Sequence, residues 1–242
     1  MTKNQIKAKI IKILSKLKII DPFAHVSYSQ CGEDLIIDNV FKQLHIKKIK
    51  YLDIGAHHPI NISNTYYFYK KGNSGVEIDP DISVFKELED VRKRDICLNI
   101  GIGLKNEMAD YFVMSTRALN TFSKEEAERV SKNGTQKIVK VLKMPLKPVN
   151  EIISKYFDGG YPNFVSLDIE GMDYAILQSF DFSKYKPEVF CVETITYTED
   201  NKEKKIPEIS ELMEKNGYFI YADTYINTIF VNKTSWEKSR EK

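Results

Sequence analysis

Short apolar runs that end in a carboxylate recur along this chain, and segments of helix length separate them. Lys50–Ile54, Gly75–Ile78, Ile96–Ile100, Asn163–Asp168 and Glu188–Glu193 read as strands, while residues 30–45, 62–71, 81–91, 172–180 and 206–216 read as helices. Parallel neighbours need a long crossover between them, and a helix is the usual one. The alternation predicts an α/β fold, a mostly parallel sheet with helices on both faces. Two further strands, Tyr218–Ala222 and Ile226–Val231, make seven, and the short Asp223–Tyr225 turn between them predicts an antiparallel hairpin at the sheet edge. Residues 105–147 interrupt the pattern. Tyr111–Met114 and Lys137–Leu142 read as extra strands flanking a charged helix, Lys124–Lys132. They predict an insertion over the carboxyl edge of the sheet, where open α/β folds bind ligands.

A chain of 242 residues suits one sizeable domain. Its net charge of +2 conceals an asymmetry: residues 1–20 hold six lysines and no acid, so the rest carries 30 of the 36 basic and all 34 acidic side chains. A body about four units negative offers no broad electrostatic surface for nucleic acid. Cys31, Cys97 and Cys191 are sparse and odd in number, which argues against a disulfide framework or a structural zinc and fits a reducing cytoplasm. Residues 3–20 read as a basic amphipathic helix, with Ile6, Ile10, Ile13, Leu14 and Leu17 on one face and Asp21-Pro22 ending it. Such a helix suits a peripheral contact at the inner face of a membrane, or packing on its own domain or on a second subunit of a homo-oligomer. No apolar run is long enough to span a bilayer.

The strand tips carry the chemistry. The first ends in Asp53-Ile54-Gly55-Ala56-His57-His58-Pro59, a turn with one glycine. A dinucleotide site wants three glycines and several exposed amides for its pyrophosphate, and an acid in the turn repels phosphate. S-adenosylmethionine has no phosphate and carries a cationic sulfonium and amine, so acidic walls suit it. The second strand ends in Asp79-Pro80, 24 residues after Gly55. A carboxylate there accepts both ribose hydroxyls; Glu77 shares its face, and Asp79 is the better placed at the edge. In Leu167-Asp168-Ile169-Glu170-Gly171 the two acids share a side, where they can hold an amino group, take a proton from a hydroxyl or bind a divalent ion. The plainer alternatives are an ordinary strand-turn-helix for the first motif, a solvated loop Asp before proline for the second, and an Asp/Glu pair on a solvated loop capping the next helix for the third.

Several motifs together resemble the FkbM family of S-adenosylmethionine-dependent methyltransferases. They are Tyr28-Ser29-Gln30-Cys31-Gly32-Glu33-Asp34, Asp53 to Pro59, Ser63-Asn64-Thr65, Tyr69-Lys70-Lys71-Gly72, Ile78-Asp79-Pro80 and Leu167 to Gly171, in order between about residues 27 and 232. One departure is Asn73, where the family often has tryptophan. The resemblance implies a Rossmann-like fold and methylation of a hydroxyl, usually on a sugar in surface polysaccharide, glycoconjugate or natural-product assembly. It divides the chain into a basic helix (1–20), a methyltransferase domain (21–235) and a tail (236–242). Alternatives are a small-molecule or lipid-linked acceptor at the membrane, a non-catalytic S-adenosylmethionine-binding protein and a nicotinamide-dependent oxidoreductase.

A hydroxyl must lose its proton as it attacks, and His57, His58, Glu170 and Glu193 are the candidate bases. Asp168, Glu170 and His57 could instead hold magnesium or manganese. Cofactor contacts are expected from Gln30, Glu33, Asp53, Gly55, Ala56, Ser63, Asn64, Asp79 and Asp168, with Glu33 also suited to a helix cap. Arg117 and Asn120, from the insertion, are the expected acceptor contacts.

Overall fold

The computed structural model describes residues 21, 23–132, 135–169, 171–196 and 204–241. The basic helix expected over 3–20 and the candidate base Glu170 lie outside the described residues. Helix α1 (Glu33–Gln43) leads into β1 (Lys50–Ile54), α2 (Tyr66–Lys70), β2 (Ser74–Ile78), α3 (Ile82–Val91) and β3 (Ile96–Leu98). After an inserted unit come α5 (Val149–Tyr156), β7 (Phe164–Leu167), α6 (Asp173–Ser179), β8 (Val189–Glu193), α7 (Pro207–Lys215), β9 (Tyr218–Asp223), β10 (Asn227–Asn232) and α8 (Lys233–Arg240).

Seven strands form one sheet in the order β3-β2-β1-β7-β8-β10-β9. The strands from β3 to β8 pair in parallel, whereas β10 runs antiparallel to both β8 and β9. The reversed strand therefore sits one place in from the edge, with β9 outside it, where the hairpin pattern alone put it at the edge. Alternate residues feed opposite faces. Leu52, Ile54, Val165, Leu167, Phe190 and Val192 pack against α5, α6 and α7 through Ile153, Ile176 and Met213. Tyr51, Phe164, Val189 and Cys191 pack against α1 and α2 through Ile37, Phe41 and Phe68. Both faces are covered, so β8 is apolar from Val189 to Val192 and β7 is apolar except at Ser166.

Helix α5 escaped the sequence reading because it is only eight residues long, although Val149, Ile152 and Ile153 keep helical spacing. The chain also stays ordered past the expected domain end at 235. Asn232 caps α8 by accepting from the Ser235 amide (3.0 Å), and Trp236 packs on Phe219 and Tyr221 at ring separations of 5.8 and 5.4 Å. The helix thereby shields edge strand β9. Asn73 fixes the entry to β1, since its Oδ1 accepts from the Ile49 amide (2.9 Å) and its Nδ2 donates to the Phe68 carbonyl (3.2 Å).

Strand β3 ends two residues earlier than expected. The chain leaves the main sheet at Asn99 and enters a second, three-stranded sheet, β4-β6-β5, with β4 (Gly101–Ile102), β5 (Glu107–Met114) and β6 (Ile138–Lys147). Helix α4 (Lys124–Lys132) closes this unit by packing Ala127 and Val130 on Phe112, Met114 and Leu119. Among the described residues no helix is long and apolar enough to cross a membrane.

Candidate active site

A cleft of ≈ 430 Å³ runs along the carboxyl tips of β2, β1, β7 and β8, within the usual size of a small-molecule site. Parallel neighbours lie about 4.8 Å apart, so the β2 and β8 tips are separated by roughly 14 Å. The two ends of the cleft differ in chemistry.

At the β1 tip Gly55 has φ +85°, and its amide donates to the Ile78 carbonyl (3.0 Å). A Cβ at this position would stand 1.8 Å from the backbone oxygen of Asp168. The glycine thus serves the packing of two strand tips. Gly55→Ala is expected to cost at least about 3 kcal/mol, since it adds a backbone clash to a disfavoured φ. Urea melts check this, and a loss below about 1 kcal/mol would contradict the packing described.

Asp79 is buried at the β2 tip, with Oδ2 accepting from the His57 amide (3.0 Å) and Oδ1 from the Asp81 amide (2.8 Å). Burial pushes its carboxyl up to about 7. Asn99 donates to the carbonyls of Asp79 and Pro80 (3.0 and 2.9 Å), which fixes this tip. Beside it Val84, Ile100, Tyr111, Leu119 and Phe122 form an apolar wall. The sequence reading missed this wall because its members come from four separated stretches, with no local pattern to announce it.

Arg117 and Asn120 line the same end. Arg117 pairs with Glu87 of α3 (3.2 Å), and Asn120 donates to Asp81 (3.2 Å) while accepting from the Met114 amide (2.8 Å). Their partners place them beside the β2 tip.

Of the two histidines, only His57 lines the cleft. It sits at φ +52°, and burial, with Arg117 and His58 nearby, lowers its pKa. His58 instead spends Nδ1 on the amides of Ile60 and Asn61 (3.0 and 2.9 Å), so it closes a turn and its expected role as a base is not supported. Glu33 is likewise withdrawn: fully buried, it accepts from Thr224 Oγ1 (2.6 Å), the Cys31 amide (2.8 Å) and Asn227 Nδ2 (3.2 Å). Burial raises its carboxyl, but those hydrogen bonds outweigh it and hold it low. The residue ties α1 to the β9–β10 turn and does not line the cleft. Gln30, Ala56, Ser63 and Asn64 do line it. Ser63 Oγ accepts from the Tyr66 amide (3.1 Å), and Asn64 Nδ2 donates to Ser166 Oγ on β7 (3.2 Å).

Asp53, Asp168 and Glu193 form an acidic floor under the centre and far end. Leu167 pairs with Val192 in register, so the next residues, Asp168 and Glu193, stand side by side on neighbouring tips. Burial first, and Asp53 second, push Asp168 up to about 6. Asp173 opens α6, accepts from the Ile169 amide (3.2 Å) and is raised to about 7, mainly by burial.

Beneath the floor lies a buried cluster that sequence reading did not find. Arg92 donates to Glu77 Oε1 (2.5 Å), Asp95 Oδ2 (2.8 Å), Thr65 Oγ1 (3.0 Å), Tyr51 Oη (3.2 Å) and the Pro59 carbonyl (3.1 Å). Thr65 Oγ1 is 2.7 Å from Asp53 Oδ2, so the cluster reaches the cleft. Glu77, the alternative ribose ligand, is committed here.

An acid whose pKa folding has raised binds its proton more tightly in the folded state. The stability from Asp79, Asp168 and Asp173 is therefore complete in the ordinary carboxylate range and is lost as pH rises through 6–7. His57 has the opposite sign and acts below its ordinary value of 6.5. The ligand-free chain is thus expected to melt a few degrees lower at about pH 8 than at about pH 6.5. A melting temperature that climbs over this interval would contradict the burial of these acids.

Among the described residues no three His, Cys, Asp or Glu side chains gather as a metal site. The expected set of Asp168, Glu170 and His57 includes one residue, Glu170, outside that description.

The family model described as the methyltransferase FkbM domain matches residues 53–220. No curated protein matches the chain. Solved structures give distant likenesses. A methyltransferase FkbM from Methylobacillus flagellatus is 17% identical, with 76% of this chain and 43% of that one covered and a TM-score of 0.44. A TehB-like methyltransferase from Corynebacterium glutamicum is 10% identical, with 95% and 97% covered and a TM-score of 0.42. A 1,6-didemethyltoxoflavin-N1-methyltransferase from Burkholderia thailandensis is 9% identical, with 83% and 75% covered and a TM-score of 0.41. This chain thus covers less than half the length of that Methylobacillus protein. With the family model covering more than two thirds of the sequence, the chain belongs to the FkbM methyltransferase domain family.

Proposed function

We propose that the chain methylates a hydroxyl of a sugar, nucleotide sugar or glycan precursor, using S-adenosylmethionine. The observation that carries this is the division of the cleft: an apolar wall and Asp79 at one end, a pair of acids on neighbouring strand tips at the other. S-adenosylmethionine supplies an electrophilic methyl on a positively charged sulfur. Val84, Ile100 and Leu119 offer apolar surface to its base, and Asp79 keeps lone pairs for ribose hydroxyls beside the two amides it already accepts from. Asp53 and Asp168 match positive charge above the β1 tip. The lining cation, Arg117, is paired with Glu87, an arrangement poorly suited to a diphosphate.

Transfer to oxygen is an in-line displacement, so much of the rate comes from alignment. The acceptor hydroxyl enters beside β7 and β8, where Asp168 or Glu193, once ionised, takes its proton. A carboxyl raised to about 6 is a stronger base than a solvated one and is still ionised at neutral pH. The work is placed in the cytoplasm, where S-adenosylmethionine and activated sugars are available. A melting-temperature panel tests the cofactor: S-adenosylmethionine and S-adenosylhomocysteine should each raise it by several degrees at saturating concentration, and NADH should leave it unchanged. Stabilisation by NADH alone would end this reading.

A further inference from the structure

Two apolar side chains on the rim of the cleft stand on backbone that glycine or asparagine adopts far more cheaply. Ile62 has φ +58° and Tyr225 φ +77°. A β-branched or bulky residue is an outlier in that region. Core packing does not explain either one, for Ile62 is 47% and Tyr225 58% exposed. Both line the cleft. Cheaper arrangements were close at hand. Asn61, a residue type that tolerates this conformation, directly precedes Ile62. Tyr225 lies in a turn held by its amide to Asp223 Oδ1 (2.7 Å) and by the Thr224 amide to the Asn227 carbonyl (2.9 Å), a place where glycine or asparagine is usual. Strain of this kind persists where the surroundings impose it, and it gathers at ligand sites.

Both residues belong to the acid-pair end. Asn227, two residues after Tyr225, pairs with Glu193 across β8 and β10. Glu33 holds Thr224 and Asn227 and so brings Gln30 to the same rim. Ile62 leads into Ser63 and Asn64, and Asn64 reaches β7 at Ser166. This end therefore joins one aromatic ring and one branched aliphatic to amides and carboxyls. A pyranose has the matching surface, hydroxyls around its edge and bare C–H groups on its faces.

We propose that Tyr225 and Ile62 grip the C–H surfaces of a pyranose ring while Asp168 and Glu193 receive one of its hydroxyls, which makes them the specificity-determining residues of the acceptor site. This rests on the methyl-transfer reading above. Tyr225 gives a stacking face that needs no hydroxyl of its own, and Ile62 restricts how the ring can tilt. Holding both side chains on strained backbone fixes where they project, which is what a weakly binding polyol requires.

The test is saturation-transfer NMR on the chain loaded with S-adenosylhomocysteine, using methyl β-D-glucopyranoside, methyl α-D-mannopyranoside, methyl α-L-rhamnopyranoside and, for contrast, catechol. At least one pyranoside should take up saturation on its ring C–H protons. Tyr225→Phe should retain that binding, whereas Tyr225→Ala and Ile62→Gly should each weaken it about tenfold. Ile62→Gly should do so without lowering the melting temperature, because glycine relieves the backbone. Undiminished pyranoside binding by Tyr225→Ala would overturn the proposal, as would binding of catechol and none of the sugars. If S-adenosylhomocysteine binds and no pyranoside does, this inference alone fails. If S-adenosylhomocysteine itself does not bind, the methyl-transfer reading fails first.

Discussion

Glu193→Gln and Asp168→Asn are each expected to lower turnover by about 100- to 10,000-fold, the range for removing a positioned general base. The substitutions keep the shape of the side chain and the possibility of a hydrogen bond between the two tips. What they remove is the negative charge that takes up the hydroxyl proton. Because the two carboxyls stand on neighbouring tips and serve the same hydroxyl, the double variant should be little slower than the worse single one. The wild-type rate should rise with pH through the neighbourhood of 6, where Asp168 ionises, and this limb should vanish in Asp168→Asn. Folding should persist in both variants, since an amide at either tip leaves no buried charge unpaired. Single-turnover rates with a methyl-accepting glycoside check this; wild-type rates in both variants would remove the pair from the chemistry.

Arg92→Met is expected to destabilise the fold by about 3–5 kcal/mol, the cost of removing one partner of a buried ion pair. Arg92 is fully buried and serves two carboxylates, a threonine, a tyrosine and a backbone carbonyl. Without it Glu77 and Asp95 keep their charge only at a heavy desolvation cost, and burial already raises both pKa values. Glu77 Oε2 has no hydrogen-bond partner of its own, so the arginine is its main compensation. Lysine is not expected to rescue the loss, because a single ammonium cannot reproduce a fork of five donors. Urea denaturation of the two variants measures this, and a loss under about 1 kcal/mol in Arg92→Met would show that the cluster is not held by its cation.

The contrast between these two sites explains what the sequence made legible. Strand tips announce themselves locally: an apolar run, then Asp53, Asp79 or Asp168, then a turn, and each of the three was found within a residue of its place. Arg92 announces nothing. It ends α3 fifteen residues after Glu77, and only the folded sheet shows that it lies beneath the β1 tip. The same limit applies to His58 and Glu33, whose polar atoms are claimed by backbone amides and neighbouring turns that no spacing rule foresees. That Arg117 and Asn120 line the cleft beside the β2 tip depends on the direction in which the insertion folds back, which is a tertiary fact. Tyr225 was passed over as part of a turn. Its backbone angle, not its identity, marks it.

Division of the cleft into a nucleoside end and an acceptor end underlies both the chemistry and the sugar grip. A crystal structure of the chain grown with S-adenosylhomocysteine tests that division most directly. The expected result is adenine against Val84, Ile100 and Leu119, ribose hydroxyls on Asp79, and the sulfur above Gly55 and Asp168, leaving the space beside Glu193 and Tyr225 free. A ligand lying with its base over Glu193, or bound outside this cleft, would contradict it.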